Sequence, residues 1–375
     1  MKYVIVQGDG MGDLLERPGS ENTPLEAART PNFDRIAGCG LFGLVRTIPP
    51  GLPPGSDVGH LSLFGYDPGQ YYTGRSPLEA VAMGISLGPR DVAFRMNLVT
   101  TLGEGADLVM DDYSAGHIGS AAAGQLVGAI GEALGSATFQ FFAGVGYRHL
   151  LVWRGGRREM ETTPPHDITG LPLGPHLPRG PGAEELLRIM EASREILAAH
   201  PLAQTLAAEG TAASQVWLWG QGRAVSLPPF FAMHGLRGAV ISAVDLVRGV
   251  AMAAGFAVVH VPGATGYLDT DYAAKGRYGL GALDGRDLIF IHIEAPDEAA
   301  HMGDREEKIR AIEAIDSQIV GPLLEGLAEV GPYKILVVSD HATPVTTRTH
   351  CHDPVPFALA TGGQIAAASA PLEYG

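Results

Sequence analysis

The run Ile335-Leu336-Val337-Val338 gives way at once to Ser339-Asp340-His341, and a further imidazole, His350, follows shortly after. A short apolar run of this kind reads as a buried strand, and open α/β sheets present their functional groups where such strands end. Two other runs end the same way. Tyr3 to Val6 leads into Gly8-Asp9-Gly10-Met11-Gly12, and Leu288-Ile289-Phe290-Ile291 is followed by Asp297 and His301. Three strand ends from distant parts of the chain thus carry carboxylates and imidazoles, which points to a two-metal phosphoryl-transfer enzyme.

The rest of the chain supports an α/β reading. Short apolar runs at Gln215 to Leu218, Gly238 to Ser242, Ala257 to Val261, Asp287 to His292 and Lys334 to Val338 are separated by helical stretches. Strands alternating with helices imply a mostly parallel sheet sandwiched by helices on both faces. Thr23 to Ala37 reads as a helix with a break at Thr30-Pro31, and Ser76 to Met83 as another. From about residue 88 the texture changes. Ala93 to Thr100 and Leu108 to Met110 read as a hairpin, Ser120 to Leu134 as an Ala-rich helix, and Thr138 to Phe142 with Tyr147 to Trp153 as a second strand pair. This block has no metal-type cluster of its own. It is expected to form a smaller inserted α+β domain over 88–169, with the core domain made of 1–87 and 170–375.

Composition removes several function classes. Asp and Glu outnumber Lys and Arg by 41 to 26, a formal net charge of -15 with no basic tract, so nucleic acid is not an expected partner. No apolar run approaches the ~18–20 residues needed to span a bilayer, and no signal-peptide pattern opens the chain, so no membrane partner is expected. Two cysteines, Cys39 and Cys351, do not make a disulfide scaffold, and a reducing cytoplasm is the default. Cys351 between two histidines is read as incidental rather than as a thiolate ligand.

The candidate metal ligands are Asp9, Ser56, Asp297, His301, Asp340, His341 and His350. Asp297 and His301 are four apart, so in one helical turn both would share a face. The donors are too many for one structural zinc, and a mixed carboxylate and imidazole set suits Mn²⁺ or Zn²⁺ better than Ca²⁺. Paired ions ~3.5–4 Å apart can stabilise both the attacking and the leaving oxygen of an in-line displacement. Ser56 stands at the end of the rigid segment Pro49 to Gly55, before Asp57-Val58-Gly59-His60. It is the expected nucleophile, activated by metal and favoured by the start of a helix. His60 is read as a packing residue rather than a ligand.

These residues carry a resemblance. Gly8-Asp9-Gly10-Met11, Pro54-Gly55-Ser56-Asp57-Val58, Tyr71-Tyr72-Thr73-Gly74-Arg75, Asp111-Asp112-Tyr113-Ser114-Ala115-Gly116-His117-Ile118, Trp217-Leu218-Trp219-Gly220-Gln221-Gly222-Arg223, Glu294-Ala295-Pro296-Asp297-Glu298 and Asp353-Pro354-Val355-Pro356-Phe357 occur in order along nearly the whole chain. In these motifs the chain resembles the archaeal-type, 2,3-bisphosphoglycerate-independent phosphoglycerate mutases of the alkaline phosphatase superfamily. The resemblance implies an alkaline-phosphatase-like core and two divalent ions, Mn²⁺ first, with Zn²⁺, Co²⁺ or Mg²⁺ as alternatives. It implies no 2,3-bisphosphoglycerate. One ion would take Asp9, Ser56, Asp340 and His341. The other would take Asp297, His301 and His350, with His352 an extra histidine beside the expected ligand. Lys275 matches the family's active-site lysine.

The implied reaction interconverts 3-phosphoglycerate and 2-phosphoglycerate through a phosphoserine at Ser56, with the inserted domain closing over the site to keep water out. The partner would be a small phosphorylated hydroxy acid, and a homo-oligomer is left open. Such a substrate needs cationic clamps. Arg95, Arg148, Arg223 and Lys275 are the candidates, with His117 and His166 for proton transfer or phosphate contact. The alternatives are a related metal-dependent phosphotransferase such as a homoserine-type kinase, or a phosphatase. Against an ATP donor, the chain has no Gly-x-x-x-x-Gly-Lys-[Ser/Thr] loop. A binding protein that had lost the chemistry would have no need of the full ligand set and Ser56.

Overall fold

The computed structural model describes residues 1–15 and 22–369. Twelve strands run through them: β1 Lys2–Gly8, β2 Leu41–Val45, β3 Val92–Leu102, β4 Val109–Asp112, β5 Phe139–Phe142, β6 Arg148–Trp153, β7 Gln215–Arg223, β8 Gly238–Ile241, β9 Ala257–Val258, β10 Leu288–Ile293, β11 Tyr333–Val338 and β12 Val355–Thr361. The chain divides into two compact units, one made of Met1–Tyr72 with Ser226–Gly375, the other of Thr73–Val225.

The first unit is built on a seven-stranded sheet in the order β2-β12-β11-β1-β10-β8-β9. From β11 to β9 every neighbouring pair is parallel, as the apolar runs predict. Every residue of β10 is buried, the signature of a strand covered on both faces. The central three strands lie in the order β11-β1-β10, with Val6 beside Val337 on one side and Ile291 on the other. Their carboxyl ends therefore emerge together. Those three ends carry Asp340 and His341, Asp9, and the helix bearing Asp297 and His301. At the other margin, β12 and β2 are antiparallel. The sequence reading did not include these two strands, because β12 lies in the Asp353-Pro354-Val355 segment and β2 is short and exposed. The expected break at Thr30-Pro31 is present: helices Pro24–Ala27 and Pro31–Cys39 flank it.

The second unit holds a five-stranded sheet in which β3 pairs antiparallel with β4, β6 and β7, and β5 pairs with β6. Helices Ser120–Leu134 and Ala183–Ala199 bury Leu126, Val127, Ile130, Leu186 and Ile189 against it. This unit is wider than the expected 88–169 span. The apolar run Gln215 to Leu218 suggests a strand of the parallel sheet, but it begins β7 and lies against β3 with Val216 opposite Leu98. An apolar run encodes a buried strand and not which sheet buries it, so the boundary moves outward on both sides to Thr73 and Val225.

Candidate metal centre

Each strand end of the first unit delivers its side chain by a local device. Asp9 follows β1 directly and is fully buried. The next residue, Gly10, has φ +55°, and its N–H donates to Asp340 Oδ1 at 3.2 Å. Asp340 and His341 leave β11 and are also fully buried. Their loop is tied to the first by Gly12 N–H donating to Ser339 Oγ (3.3 Å) and Thr343 N–H donating to the Gly12 carbonyl (3.1 Å). Asp297 and His301 do share a face, on the helix Ala295–Met302, whose end is set by Gly303 at φ +74°.

Among the described residues three groups of ligand atoms lie within 4.8 Å of one another, and two of them gather the expected ligands. In the first, His341 Nε2 lies 3.4 Å from Asp9 Oδ1, 3.2 Å from Asp340 Oδ2 and 3.2 Å from Ser56 Oγ. In the second, His301 Nε2 lies 3.0 Å from Asp297 Oδ2 and 3.1 Å from His350 Nε2, and His350 Nε2 is 3.6 Å from Asp297 Oδ1. The rings of His341 and His350 are 4.0 Å apart, so the groups adjoin. His352 is engaged elsewhere, with Nε2 2.8 Å from the Leu52 carbonyl.

The donors fit divalent cations. Among the described residues Asp9 Oδ1 and Asp340 Oδ2 are buried without a hydrogen-bond partner, a costly state for carboxylate oxygens that a cation relieves. Burial, reinforced by the neighbouring negative charges of Asp340, Glu294 and Asp297, pushes the Asp9 carboxyl well up. In the second group, burial would raise the Asp297 carboxyl, but His301 and His350 hold it well below the usual range. His60 sits with Asp9 and His292 but has both ring nitrogens occupied, Nδ1 donating to the Ser56 carbonyl at 2.6 Å and Nε2 3.0 Å from the Gln7 side-chain amide. Burial lowers its pKa to about 4, so it packs as a neutral ring.

Ser56 is the first residue of the helix Ser56–Leu63, entered through Gly55. Lys275 is fully buried in the same unit, its ammonium donating to the His292 carbonyl at 3.2 Å, and burial lowers its pKa to about 8 against the pull of Glu294.

Comparison with known proteins decides the family. The chain is 51% identical over 363 residues to a probable 2,3-bisphosphoglycerate-independent phosphoglycerate mutase of Geobacter sulfurreducens, covering 96% of this chain and 91% of that one. The chain belongs to the 2,3-bisphosphoglycerate-independent phosphoglycerate mutases. The family model of that description matches residues 37–203. A mutase of Methanothrix thermoacetophila is 50% identical, covering 97% of this chain and 91% of its own. Among solved structures, a protein from Pyrococcus horikoshii is 31% identical with a TM-score of 0.77, covering 96% of this chain and 88% of that one. The cofactor-independent phosphoglycerate mutase from Thermoplasma acidophilum is 28% identical with a TM-score of 0.59, covering 96% and 90%.

Most of the mutase's expected substrate-side residues lie in the second unit. There they line one chain of aromatic contacts. His117 meets Tyr147 (ring centroids 6.2 Å), Tyr147 meets Tyr113 (5.8 Å), Tyr113 meets His166 (6.0 Å) and His166 meets Trp219 (5.4 Å). Arg148 lies over Tyr147 and Arg95 over Trp219. Arg95, however, is buried and ion-paired to Glu79, with Nε on Asn97 Oδ1, so it braces Trp219 more than it offers free charge. Arg223 has its Nε buried without a hydrogen-bond partner among the described residues.

Sequence reasoning missed four residues around the metal groups. His292 lies 2.8 Å from Asp9 Oδ2 and 3.1 Å from Glu294 Oε2, with Nδ1 2.9 Å from Ser242 Oγ. A histidine inside the apolar β10 was the available signal. Thr343 donates its hydroxyl to Asp297 Oδ1 at 2.6 Å. Lys308 and Asp13 form a buried pair behind the two ligand loops. Lys308 falls on the same helical stripe as the buried Ala311, Ile312 and Ile315, a position where a lone charge calls for a partner. Cys351 stays a neutral thiol, pushed up by burial to about 11.

Proposed function

We propose that the chain interconverts 3-phosphoglycerate and 2-phosphoglycerate through a phosphoserine at Ser56, without 2,3-bisphosphoglycerate. The observation that carries this is Ser56 Oγ, held 3.2 Å from His341 Nε2 at the start of a helix and beside two Asp/His groups. Asp9, Ser56, Asp340 and His341 would hold one divalent ion, and Asp297, His301 and His350 the other. The donor set favours Mn²⁺, with Zn²⁺, Co²⁺ and Mg²⁺ as alternatives. Such ions, when bound, neutralise phosphate charge and lower the pKa of a coordinated hydroxyl.

The chain's own residues supply the rest. Ser56 Oγ forms the new P–O bond, and the ester bond to one glycerate hydroxyl breaks. Ser56 opens the Ser56–Leu63 helix, and a helix N-terminus favours the anionic phosphoryl group that Ser56 would carry. The Lys275 ammonium adds charge where the transferring group is most negative. The other glycerate hydroxyl then takes the phosphoryl group back and Ser56 is regenerated. Substrate contact is assigned to Arg148, Arg223, His117 and His166, with His166 also exchanging the hydroxyl proton. Arg95 is the weakest of the candidate clamps because Glu79 already neutralises it. The partner in this reading is a small phosphorylated hydroxy acid, and the proposed location is the cytoplasm. Among the described residues no helix is long and apolar enough to cross a membrane.

The test is an assay of metal-stripped protein with 3-phosphoglycerate and added Mn²⁺, 2,3-bisphosphoglycerate omitted. The expected outcome is 2-phosphoglycerate from the wild type and none from Ser56→Ala. Conversion by Ser56→Ala would remove the phosphoserine step. No conversion by folded, metal-loaded wild type would remove the substrate assignment.

A further inference from the structure

Thr343 lies between the two ligand groups, is fully buried, and touches a member of each. Its Oγ1 is 2.6 Å from Asp297 Oδ1 and 3.1 Å from His341 Nδ1. A hydroxyl has one proton to give, and an ionised carboxylate can only accept, so the proton goes to Asp297. The Thr343 oxygen must then accept from His341 Nδ1–H. This fixes His341 in the tautomer whose Nε2 carries a lone pair, and that nitrogen is the one facing Asp9, Asp340 and Ser56. One hydroxyl therefore sets the ring of the first group and the carboxylate of the second.

The hydroxyl is itself held in place. Thr343 N–H donates to the Gly12 carbonyl, and the Thr343 carbonyl accepts from Lys308 Nζ at 2.9 Å. On the remaining side is Gly10, where a Cβ would come within 2.6 Å of Thr343 Oγ1 and 2.3 Å of Asp297 Oδ1. The two contacts cannot loosen independently.

We propose that Thr343 is a positioning residue that couples the two ligand groups, so that ordering one by a bound ion orders the other and raises its affinity. The inference rests on the two-ion reading above. By linkage the effect is reciprocal: each ion tightens the other by the same factor.

Calorimetric Mn²⁺ titration of the metal-stripped full-length chain tests it, with Thr343→Val, Thr343→Ser and each combined with His350→Ala. The expected result is two ions on the wild type, both weakened ~10–100-fold in Thr343→Val and both near wild type in Thr343→Ser. His350→Ala should weaken the remaining ion when Thr343 is present but leave it unchanged in the T343V background, the non-additivity that defines coupling. Thermal unfolding of the metal-free variants checks that the fold is intact. If Thr343→Val does not fold, Thr343→Ala removes the hydroxyl without pressing a methyl on Asp297. Wild-type affinity for both ions in a folded hydroxyl-free variant would overturn the coupling alone, as would a loss confined to one ion. A folded wild type that binds no Mn²⁺ would overturn the two-ion reading and the coupling with it.

Discussion

Lys308 Nζ lies 2.8 Å from Asp13 Oδ2, with both side chains sealed from solvent, and the same ammonium donates to the carbonyls of Gly12 (3.1 Å) and Thr343 (2.9 Å). One buried cation thus ties the loop after β1 to the loop after β11. Removing one partner of a buried pair leaves an uncompensated charge, which typically costs ~3–5 kcal/mol. Lys308→Met is expected to lose stability on that scale in urea unfolding. Combined with Asp13→Asn it should lose less than the sum of the single changes. Strictly additive losses would show that the pair is not an energetic unit.

Gly10 is required by both conformation and space. Its φ of +55° disfavours any side chain, and a Cβ there would overlap Asp297 and Thr343. Backbone strain of this kind costs of order 1–3 kcal/mol. The overlap should displace Asp297, so Gly10→Ala is expected to lower Mn²⁺ affinity by ~10–100-fold. Equilibrium dialysis measures it. Unaltered binding would mean that the loop can shift without moving the ligands.

Lys275 makes a pH signature. Burial lowers its pKa from 10.5 to about 8. Below pH 8 both native and unfolded chains carry the proton, and no slope arises. Between about 8 and 10.5 the unfolded chain binds a proton that the native chain has released, so this group makes stability rise with pH, by at most about 1.4 kcal/mol per pH unit. Urea unfolding of metal-free Lys275→Met should lack that rise. In the assay, kcat/KM should fall as pH passes about 8 and the ammonium is lost, and Lys275→Arg should move the fall to higher pH. A decline unchanged by Lys275→Arg would assign it to another group.

His301 predicts proton release on metal binding. Burial alone would lower its pKa, but Asp297 outweighs burial and raises it to about 9. In the metal-free chain its ion pair is fully stabilising below pH 6.5, and that stabilisation is lost as pH rises toward 9. At pH 7.5 His301 is protonated and must give up its proton to become a ligand. Titration in buffers of different ionisation enthalpy should report close to one proton released at this group, absent in His301→Ala. Equal release from both proteins would exclude His301 as its source.

Five of the candidate ligands were legible because they follow an apolar run or lie four residues from a partner on one helical turn, whereas Ser56 and His350 have no such local pattern. Asp9, Asp297 with His301, and Asp340 with His341 need only local pattern to be noticed. The substrate side was legible only as residue types. Arg95 has the residue type of an anion clamp, but Glu79, from the helix Arg75–Ala82, is paired with it. β2 went unread because it is a short, exposed edge strand, and β12, which lies between β2 and β11, because Asp353-Pro354 and Pro356 read as loop.

By itself the sequence determined that the chain has buried parallel strands, that carboxylates and imidazoles stand at three of their ends, and that Ser56 opens a helix. Hydrophobic period and residue spacing are local, and those features depend on nothing else. Only the tertiary structure decided that β7 pairs with β3 rather than joining the parallel sheet, that Lys308 answers Asp13, and that the Thr343 hydroxyl joins His341 to Asp297. Each of these is a choice of partner across tens to hundreds of residues. A residue's own pattern records that a strand must pair, or that a buried charge must be met. Which segment answers is set by sheet register and by the order in which the ligand-bearing loops emerge side by side.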